Sequence, residues 1–388
     1  MDIVLSVIVH VYNIAPYLRR CMDSLLIQGM EMVGKYELIC VDDGSNDGSS
    51  DILLEYSRHH PHLVRLIIQE TKGVARSRNA GLREARGKYV AFVNGDDYLV
   101  EGGYGYVMKH FCRLEESDAE SGVGEGSWVM SAADGMQGAI SSSVKAGEGS
   151  APRPRRGKKR PQVPDVVSFW NVVMNDYQKR HYNYSDTPEG DIIFEGDGTE
   201  AYNRFGMSFV TDKLFRLEFL REHTVRFEDL RISEDAMYCF RLFQHNPHIV
   251  MTSCNIYRYT RERDSFVITS YPQVTIIFML ESEMYLIKVL DNYLCRRKLP
   301  MAEGVKWALD SQLKLYHTRA LAARLDRKKW SHHMRALRAV PHHHLRGKGK
   351  WVFISRLLNL SAHNYLFYKM ASSIYRHLYD RHLRKHVK

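Results

Sequence analysis

No uncharged apolar run in this sequence approaches the length of a bilayer-spanning helix, so a transmembrane segment is not expected. Cysteine is sparse. The six thiols (Cys21, Cys40, Cys112, Cys239, Cys254 and Cys295) are scattered and lack CxxC spacing, which argues against a disulfide framework or a zinc ribbon and suits buried thiols in a reducing compartment. The run His342-His343-His344 has neither flanking cysteines nor an HExxH pattern and reads as a solvated loop. Met1 is followed almost at once by a strand, with no basic n-region or cleavage site, so the expectation is a cytoplasmic protein without a signal peptide. Acidic residues are nearly missing from one end. Residues Arg296–Lys388 hold 22 Lys+Arg against 4 Asp+Glu, which leaves 33 against 41 for the rest. A basic tail on an acidic body calls for an anionic partner or surface. Motifs and aromatic-interleaved basic stripes for nucleic acid are lacking, so no nucleic-acid partner is expected.

What is present is a regular alternation. Leu5–Val9, Tyr36–Val41, Leu63–Ile68 and Tyr89–Val93 are apolar, β-branched runs of strand length. Between them lie helical patterns: one after Asn13 with Pro16 in its first turn, then Ser49–Tyr56 and Val74–Ala85. Such spacing predicts an α/β, Rossmann-like fold with a mostly parallel sheet and crossover helices. The stretch 115–164 is rich in Gly and Ser, carries a Pro-Arg-Lys cluster, and reads as a disordered insertion. Beyond it we expect strands at Val166–Phe169 and Ile249–Tyr259, and a helix opening at Glu234. A basic helical region, 271–388, follows a catalytic domain spanning 1–270. Its helices are expected over Val274–Leu290, Val305–Leu325 and Trp351–Tyr379.

Five short segments carry the chemistry. Ser6–Asn13 ends a strand with His10 and Tyr12, suitable for edge contacts or stacking with a nucleobase. Asp42-Asp43-Gly44-Ser45 pairs two carboxylates with a glycine that lets the backbone approach a ligand; an Asx-turn is the plain structural alternative. Gly73–Gly81 presents Arg76 and Arg78 beside a glycine turn, where a surface arginine is the alternative. Asn94-Gly95-Asp96-Asp97 offers hard oxygen ligands to a divalent cation, or a structural turn. Glu234-Asp235 opens a helix, where acids also simply favour the macrodipole.

In this order the segments resemble the family 2 glycosyltransferases, strongly over Met1–Phe111 and moderately over Pro164–Ser265. The resemblance implies an inverting enzyme of GT-A type, moving a sugar from a nucleotide-sugar donor (a uridine diphosphate sugar above all) to a saccharide or lipid-linked acceptor in surface-polysaccharide assembly. It implies Mg²⁺ or Mn²⁺ at Asp97, with Asp96 as a further ligand or a contact to ribose or sugar. Asp43 would accept from a uracil-type imide and Asp42 would shape the base pocket. Arg78 would support that pocket by pairing with Asp43 or Asp96, and Asp235 would be the general base with Glu234 in support. The departures from the family include His10 for Pro, Ser77 for Ala, Asn94 for Asp, Thr211 for Trp and Asp212 for Asn. His10, Asn94 and Thr211 feed a second reading, a catalytically degenerate nucleotide-sugar-binding subunit. The arginines Arg261 and Arg263 fall outside the usual register. The basic tail beside aromatic residues (Trp351, Phe353, Leu357, Leu358, Tyr365, Phe367, Tyr368) suits attachment to an anionic membrane, with packing on the catalytic domain as the alternative.

Overall fold

Four parallel strands in the order β3-β2-β1-β4 form one half of an eight-stranded sheet. They are β1 (Leu5–Val11), β2 (Tyr36–Asp42), β3 (Val64–Ile68) and β4 (Tyr89–Asn94), joined through α1 (Ala15–Leu26), α2 (Ser49–His59) and α3 (Val74–Glu84). The computed structural model describes residues 3–29, 35–113, 162–169, 171–174, 188–260, 273–296, 299–341 and 358–386. The expected insertion, except for its last few residues, lies outside these, as do Arg261, Arg263, the histidine run, Trp351, Phe353 and Leu357.

The other half of the sheet is mixed. After β5 (Tyr98–Leu99) and α4 (Gly103–Phe111) come β6 (Val166–Ser168), β7 (Asn171–Met174), β8 (Ile192–Asp197), α5 (Gly198–Phe205), β9 (Lys213–Arg216) and α6 (Leu217–Glu222). Then follow α7 (Glu234–Phe243), β10 (His248–Thr252) and β11 (Tyr257–Thr260). The sheet continues β4-β9-β6-β10-β8, with β9 antiparallel to β4 and to β6, and β8 antiparallel to β10. His10 pairs with Val41 on one side and Asn94 on the other, so Val11, Asp42 and Asn94 end at one edge. Because β9 runs the opposite way, the residues entering it come from that same edge. In α/β sheets this carboxyl edge, where strand order reverses about β1, is where ligands settle.

The expected single strand over 249–259 is two strands in different sheets. The chain turns at Ser253, whose N–H donates to the Asp191 carbonyl at 2.8 Å, and β11 leaves to sit between β5 and β7. Three elements lacked a legible signal. β8 has no fully buried residue, α5 is only eight residues long, and α10 (Arg327–Arg338) is dominated by basic residues. In α10 only Trp330, His333, Met334 and Leu337 turn inward, and Asp326 caps it by accepting from the Lys329 N–H at 2.8 Å. Asn13, expected to cap α1, instead adopts φ +50° and accepts from the Asn46 N–H at 2.9 Å.

Two apolar layers flank the sheet. One joins Val7, Val9, Leu38, Leu18 and Leu25 to Tyr104 and Phe111. The other is larger and joins Ile8, Phe92, Phe215, Tyr238 and Phe240 to Leu280, Leu286, Leu309 and Tyr316. The last four belong to α8 (Gln273–Leu294) and α9 (Ala302–Ala322), so the C-terminal helices complete the core beneath α7. Phe92 lies at its centre, with the Phe227 ring edge-on at 5.1 Å and Phe215 and Tyr238 within 6 Å. The wholly buried Glu283 of α8 is paired with Arg319 of α9, tying the two helices where neither charge could stand alone. Ser233 donates from Oγ to Gln312 Oε1 of α9 at 3.1 Å, which anchors that layer to the residue before Glu234.

Candidate active site

The loops at the carboxyl edge are fastened to one another before any ligand is considered. The Asn13 and Ile14 N–H groups donate to Ser45 Oγ and Ser49 Oγ, and the Ala15 N–H donates to Asp47 Oδ2 at 2.9 Å. Tyr12, just before this junction, exposes its ring at the rim. Asp42 and Asp43 are both buried, with their oxygens turned into the loops. Asp42 accepts from the Ser45 N–H and hydroxyl on one oxygen and from the Ser50 hydroxyl on the other. Asp43 Oδ1 accepts from Gln69 Nε2 (2.7 Å) and the Lys72 N–H (2.9 Å), and Oδ2 from the Gly73 N–H (2.8 Å). Asp43 therefore first holds the glycine turn before α3 in place. One lone pair of Oδ2 is left for anything else. Gly44, at φ +80°, needs its missing side chain: a Cβ would lie 2.8 Å from Thr71 Oγ1.

Arg78 is only 3% exposed and reaches three motifs at once. Nη1 donates to Glu234 Oε1 at 3.0 Å and to Asp235 Oδ1, and Nη2 donates to Asn94 Oδ1 at 3.0 Å. This corrects the expected pairing with Asp43 or Asp96. The guanidinium faces the helix-opening acids and stacks 5.2 Å from the Phe227 ring. The next residue, Asn79, fixes Phe227 there: its amide donates to the Phe227 carbonyl at 2.8 Å and accepts from the Phe227 N–H at 3.0 Å. Arg76, by contrast, is an exposed surface charge paired with Asp229, as its position suggested.

Asn94 makes use of both ends of its amide. While Oδ1 accepts from Arg78, Nδ2 donates to Asp97 Oδ2 at 3.1 Å. A carboxylate in its place could not donate to Asp97. Asp97 is wholly buried and its partners are all protein groups: the Tyr257 hydroxyl donates to Oδ2 at 2.6 Å and the Thr260 N–H to Oδ1 at 2.7 Å. Burial, with the neighbouring Asp96 charge, pushes the Asp97 carboxyl up to about 7. Asp96 is also raised by burial, against the opposing pull of its own backbone N–H and of the Arg20 charge, and its carbonyl accepts from Arg20 Nη2 at 3.2 Å. Asp96 is half-buried, whereas Asp97 is enclosed.

Tyr257, Thr260, Gln69 and Arg20 are parts of the site that sequence reasoning missed. Tyr257 and Thr260 lie some 160 residues from Asp97 and arrive only because β11 pairs with β5. His10 sits between these groups with its Nε2 buried and unpartnered. Burial first, and then the Arg78 charge, lower it to about 4, so it is a neutral imidazole. On the far side, Lys213, itself buried, donates from Nζ to Asp212 Oδ1 at 2.5 Å and to the Phe209 carbonyl at 2.7 Å. Burial beside Asp235 raises Glu234 to about 7, against the opposing pull of Arg78. Among the described residues, no three His, Cys, Asp or Glu side chains converge into a closed metal cage. A cavity of about 800 Å³ lined by Arg86, Lys88, Tyr89, Arg113 and Arg216 sits at the opposite end of β4 and contains none of the motif residues.

A mostly parallel α/β sheet thus carries carboxylate-bearing loops at its carboxyl edge, with an acidic helix opening facing them. Residues 6–121 match the family model for glycosyl transferase family 2. The chain is 25% identical over 312 residues to the uncharacterized glycosyltransferase EpsJ of Bacillus subtilis, covering 76% of each chain. It is 37% identical over 124 residues to the glycosyltransferase GlyA of Streptococcus pneumoniae, 32% of this chain but only 17% of that protein. Among solved structures, residues 1–349 of S. aureus TarS with UDP-GlcNAc superpose with a TM-score of 0.55 at 16% identity, covering 97% of this chain and 92% of that one. The mannosyltransferase PcManGT of Pyrobaculum calidifontis, with GDP-Man and Mn²⁺, gives 0.50 at 14%, covering 95% and 86%.

Replacing Arg78 with Met should leave Glu234 and Asp235 facing each other without a cation. The expected loss is about 3–5 kcal/mol of unfolding free energy. In the parent, Glu234 binds its proton more tightly folded than unfolded, so it destabilises the fold as pH rises from its ordinary range toward 7. Without Arg78 that penalty grows, so the deficit in urea unfolding should be larger at pH 8 than at pH 5. Equal deficits at both pH values would contradict this assignment.

Proposed function

We propose that the chain is a metal-dependent, inverting glycosyltransferase that moves a sugar from a nucleotide-diphosphate donor, preferably a uridine diphosphate sugar, to a saccharide or lipid-linked acceptor in surface-polysaccharide synthesis. The carrying observation is the single guanidinium that joins the Asn94–Asp97 turn to Glu234 and Asp235. It binds the Asn94–Asp97 turn and the two helix-opening acids, the donor and acceptor sides of this reading, into one hydrogen-bonded unit. The TarS complex with UDP-GlcNAc and the PcManGT complex with GDP-Man and Mn²⁺ support the donor class and the metal.

Tyr12 stacks on the base from the rim, while His10 and the Asp42–Asp43 loop line its edge. His10, neutral and with Nε2 free, can donate or accept one hydrogen bond there. Two adjacent carboxyls, both raised by burial and Asp97 also by the Asp96 charge, fit a hard divalent cation, which Asp97 and Asp96 would hold. When bound, Mg²⁺ or Mn²⁺ supplies charge compensation to the departing diphosphate. Asp235 takes the proton from the acceptor hydroxyl as that oxygen attacks the anomeric carbon from the face opposite the diphosphate. Arg78 holds Asp235 in position through Nη1, and Glu234 shares the same guanidinium.

Placement on an anionic membrane is the second part of the proposal. Tyr368 turns inward, donating to the Ala320 carbonyl at 2.6 Å, and Tyr365 packs on Trp330 at 5.4 Å, so these two rings belong to the core. The exposed apolar residues of α11 (Tyr365–His386) are Leu366, Met370 and Ile374, at four-residue spacing. Next to them α10 exposes Arg327, Lys328, Lys329 and Arg335. Basic groups flanking an apolar stripe suit a helix lying in an anionic interface, each adding on the order of 1 kcal/mol.

Asp235→Asn should bind UDP–Mn²⁺ like the parent but transfer slower by about a hundred- to ten-thousand-fold. Hydrolysis of a panel of nucleotide sugars with Mg²⁺ or Mn²⁺ identifies the donor without the acceptor. Transfer by Asp235→Asn at the parent rate, or no donor turned over by the parent, would overturn the reading.

In liposome flotation the full chain should float with vesicles containing anionic lipid, stay behind with neutral ones, and be released by high salt. Leu366→Glu together with Met370→Glu should abolish flotation. Equal recovery with both lipids would leave these helices a purely structural role.

A further inference from the structure

Large aromatic rings exposed to water beside an active site call for an occupant. Phe205, Phe209 and Trp307 are 41%, 61% and 56% exposed. Phe205 also packs on Phe194 at 5.6 Å and under Arg204, so Phe209 and Trp307 are the freer rings. The Trp307 indole lies directly on Gly206, where a Cβ would come within 2.6 Å of Cε3 and Cζ3. Gly206, at φ +61°, follows Phe205 and starts the segment that carries Phe209 into β9.

Two independent tethers place this neighbourhood next to the acceptor-side acids. The Phe209 carbonyl accepts from Lys213 Nζ, which also holds Asp212, and from Cys239 Sγ at 3.3 Å. Cys239 stands one turn beyond Asp235 on α7, about 6 Å along the axis. Trp307 stands five residues before Gln312, about 7.5 Å along α9, and Gln312 is bonded to Ser233, immediately before Glu234. The rings therefore lie on the segment and the helix that bracket the opening of α7, away from the Asp42–Asp43 loop that faces the donor.

We propose that Phe209 and Trp307, with Phe205 at the rim, form a platform on which a pyranose unit of the acceptor saccharide stacks, presenting its hydroxyl to Asp235. The proposal rests on the transferase reading above. An aromatic face is electron-rich, and the flat face of a pyranose carries weakly positive C–H groups, so the two complement each other while the sugar hydroxyls stay in water. A polyol chain has no such face. A protein seated on these rings would block the approach of any acceptor to Asp235. Gly206 is part of the device, because any side chain there displaces the indole.

The test is saturation-transfer NMR on the full chain with methyl β-D-glucopyranoside, methyl β-D-galactopyranoside and chitotetraose, and with ribitol 5-phosphate as the non-stacking control. At least one pyranoside should bind with saturation strongest on its axial ring C–H protons. Phe209→Ala and Trp307→Ala should each weaken this by about tenfold, and Trp307→Phe should restore part of it. Gly206→Ala keeps both rings but moves the indole, and should weaken binding in the same sense. UDP–Mn²⁺ affinity and donor hydrolysis should not change in any of them, and melting temperature should not change in the Phe209 and Trp307 variants, whereas Gly206→Ala, strained at φ +61°, should melt lower. Binding that is equal in parent and variants, a parent that binds no pyranoside, or preference for ribitol 5-phosphate would overturn the platform. So would loss of self-association in the variants, which would make a second copy the occupant. Donor hydrolysis missing from the parent would instead overturn the transferase reading, and the NMR series would still report on the platform.

Discussion

One buried guanidinium organises this site. Arg78 has almost no access to water, and ionised groups removed from water are costly unless paired. Its compensation comes from residues more than 150 positions away in sequence, Glu234 and Asp235, and from Asn94 on the neighbouring strand end. Each of these needs Arg78 in return: the two acids repel each other, and the Asn94 amide is oriented by accepting from Arg78 while donating to Asp97. Loss of any member would leave a buried charge or donor unmatched. The positions of the Asn94–Asp97 turn and the helix-opening acids are thereby coupled through hydrogen bonds rather than through the backbone alone.

The rest of the fold serves to hold that pairing. α3 brings Arg78 to the carboxyl edge, and Asp43 fixes the turn from which α3 starts. α7 carries the acids, and its apolar face lies on Phe92 and Phe215 on one side and on α8 and α9 on the other. The C-terminal helices are thus the floor beneath α7, and Gln312 reaches from that floor to Ser233. Their inner faces support α7, while Leu366 on the outer face is 77% exposed.

Much of this was legible in the sequence, for physical reasons that also explain the gaps. Strand runs such as Leu5–Val9 and Tyr89–Val93 are buried on both faces, so the parallel half could be read from continuous β-branched stretches. The acidic motifs stood out because adjacent carboxylates after a buried strand need a purpose. Their partners did not stand out. Tyr257 and Thr260 reach Asp97 only through a strand that changes sheets, and the break at Ser253 that makes this possible has no proline or glycine to announce it. Helix α10 was hidden by its charge, since four inward residues among many basic ones leave a faint periodicity. Which of Asp96 and Asp97 is enclosed was equally invisible, because two identical neighbouring side chains look alike in sequence.

The most direct test of this account is a double-mutant cycle between Arg78 and Asp235, read as unfolding free energy in urea at pH 8. Arg78→Met and Asp235→Asn are measured alone and together. If the guanidinium and the acid form one coupled unit, the two effects fall short of additive by about 1–3 kcal/mol. Additivity within about 0.5 kcal/mol would show that the two residues do not act on each other, and would contradict the account.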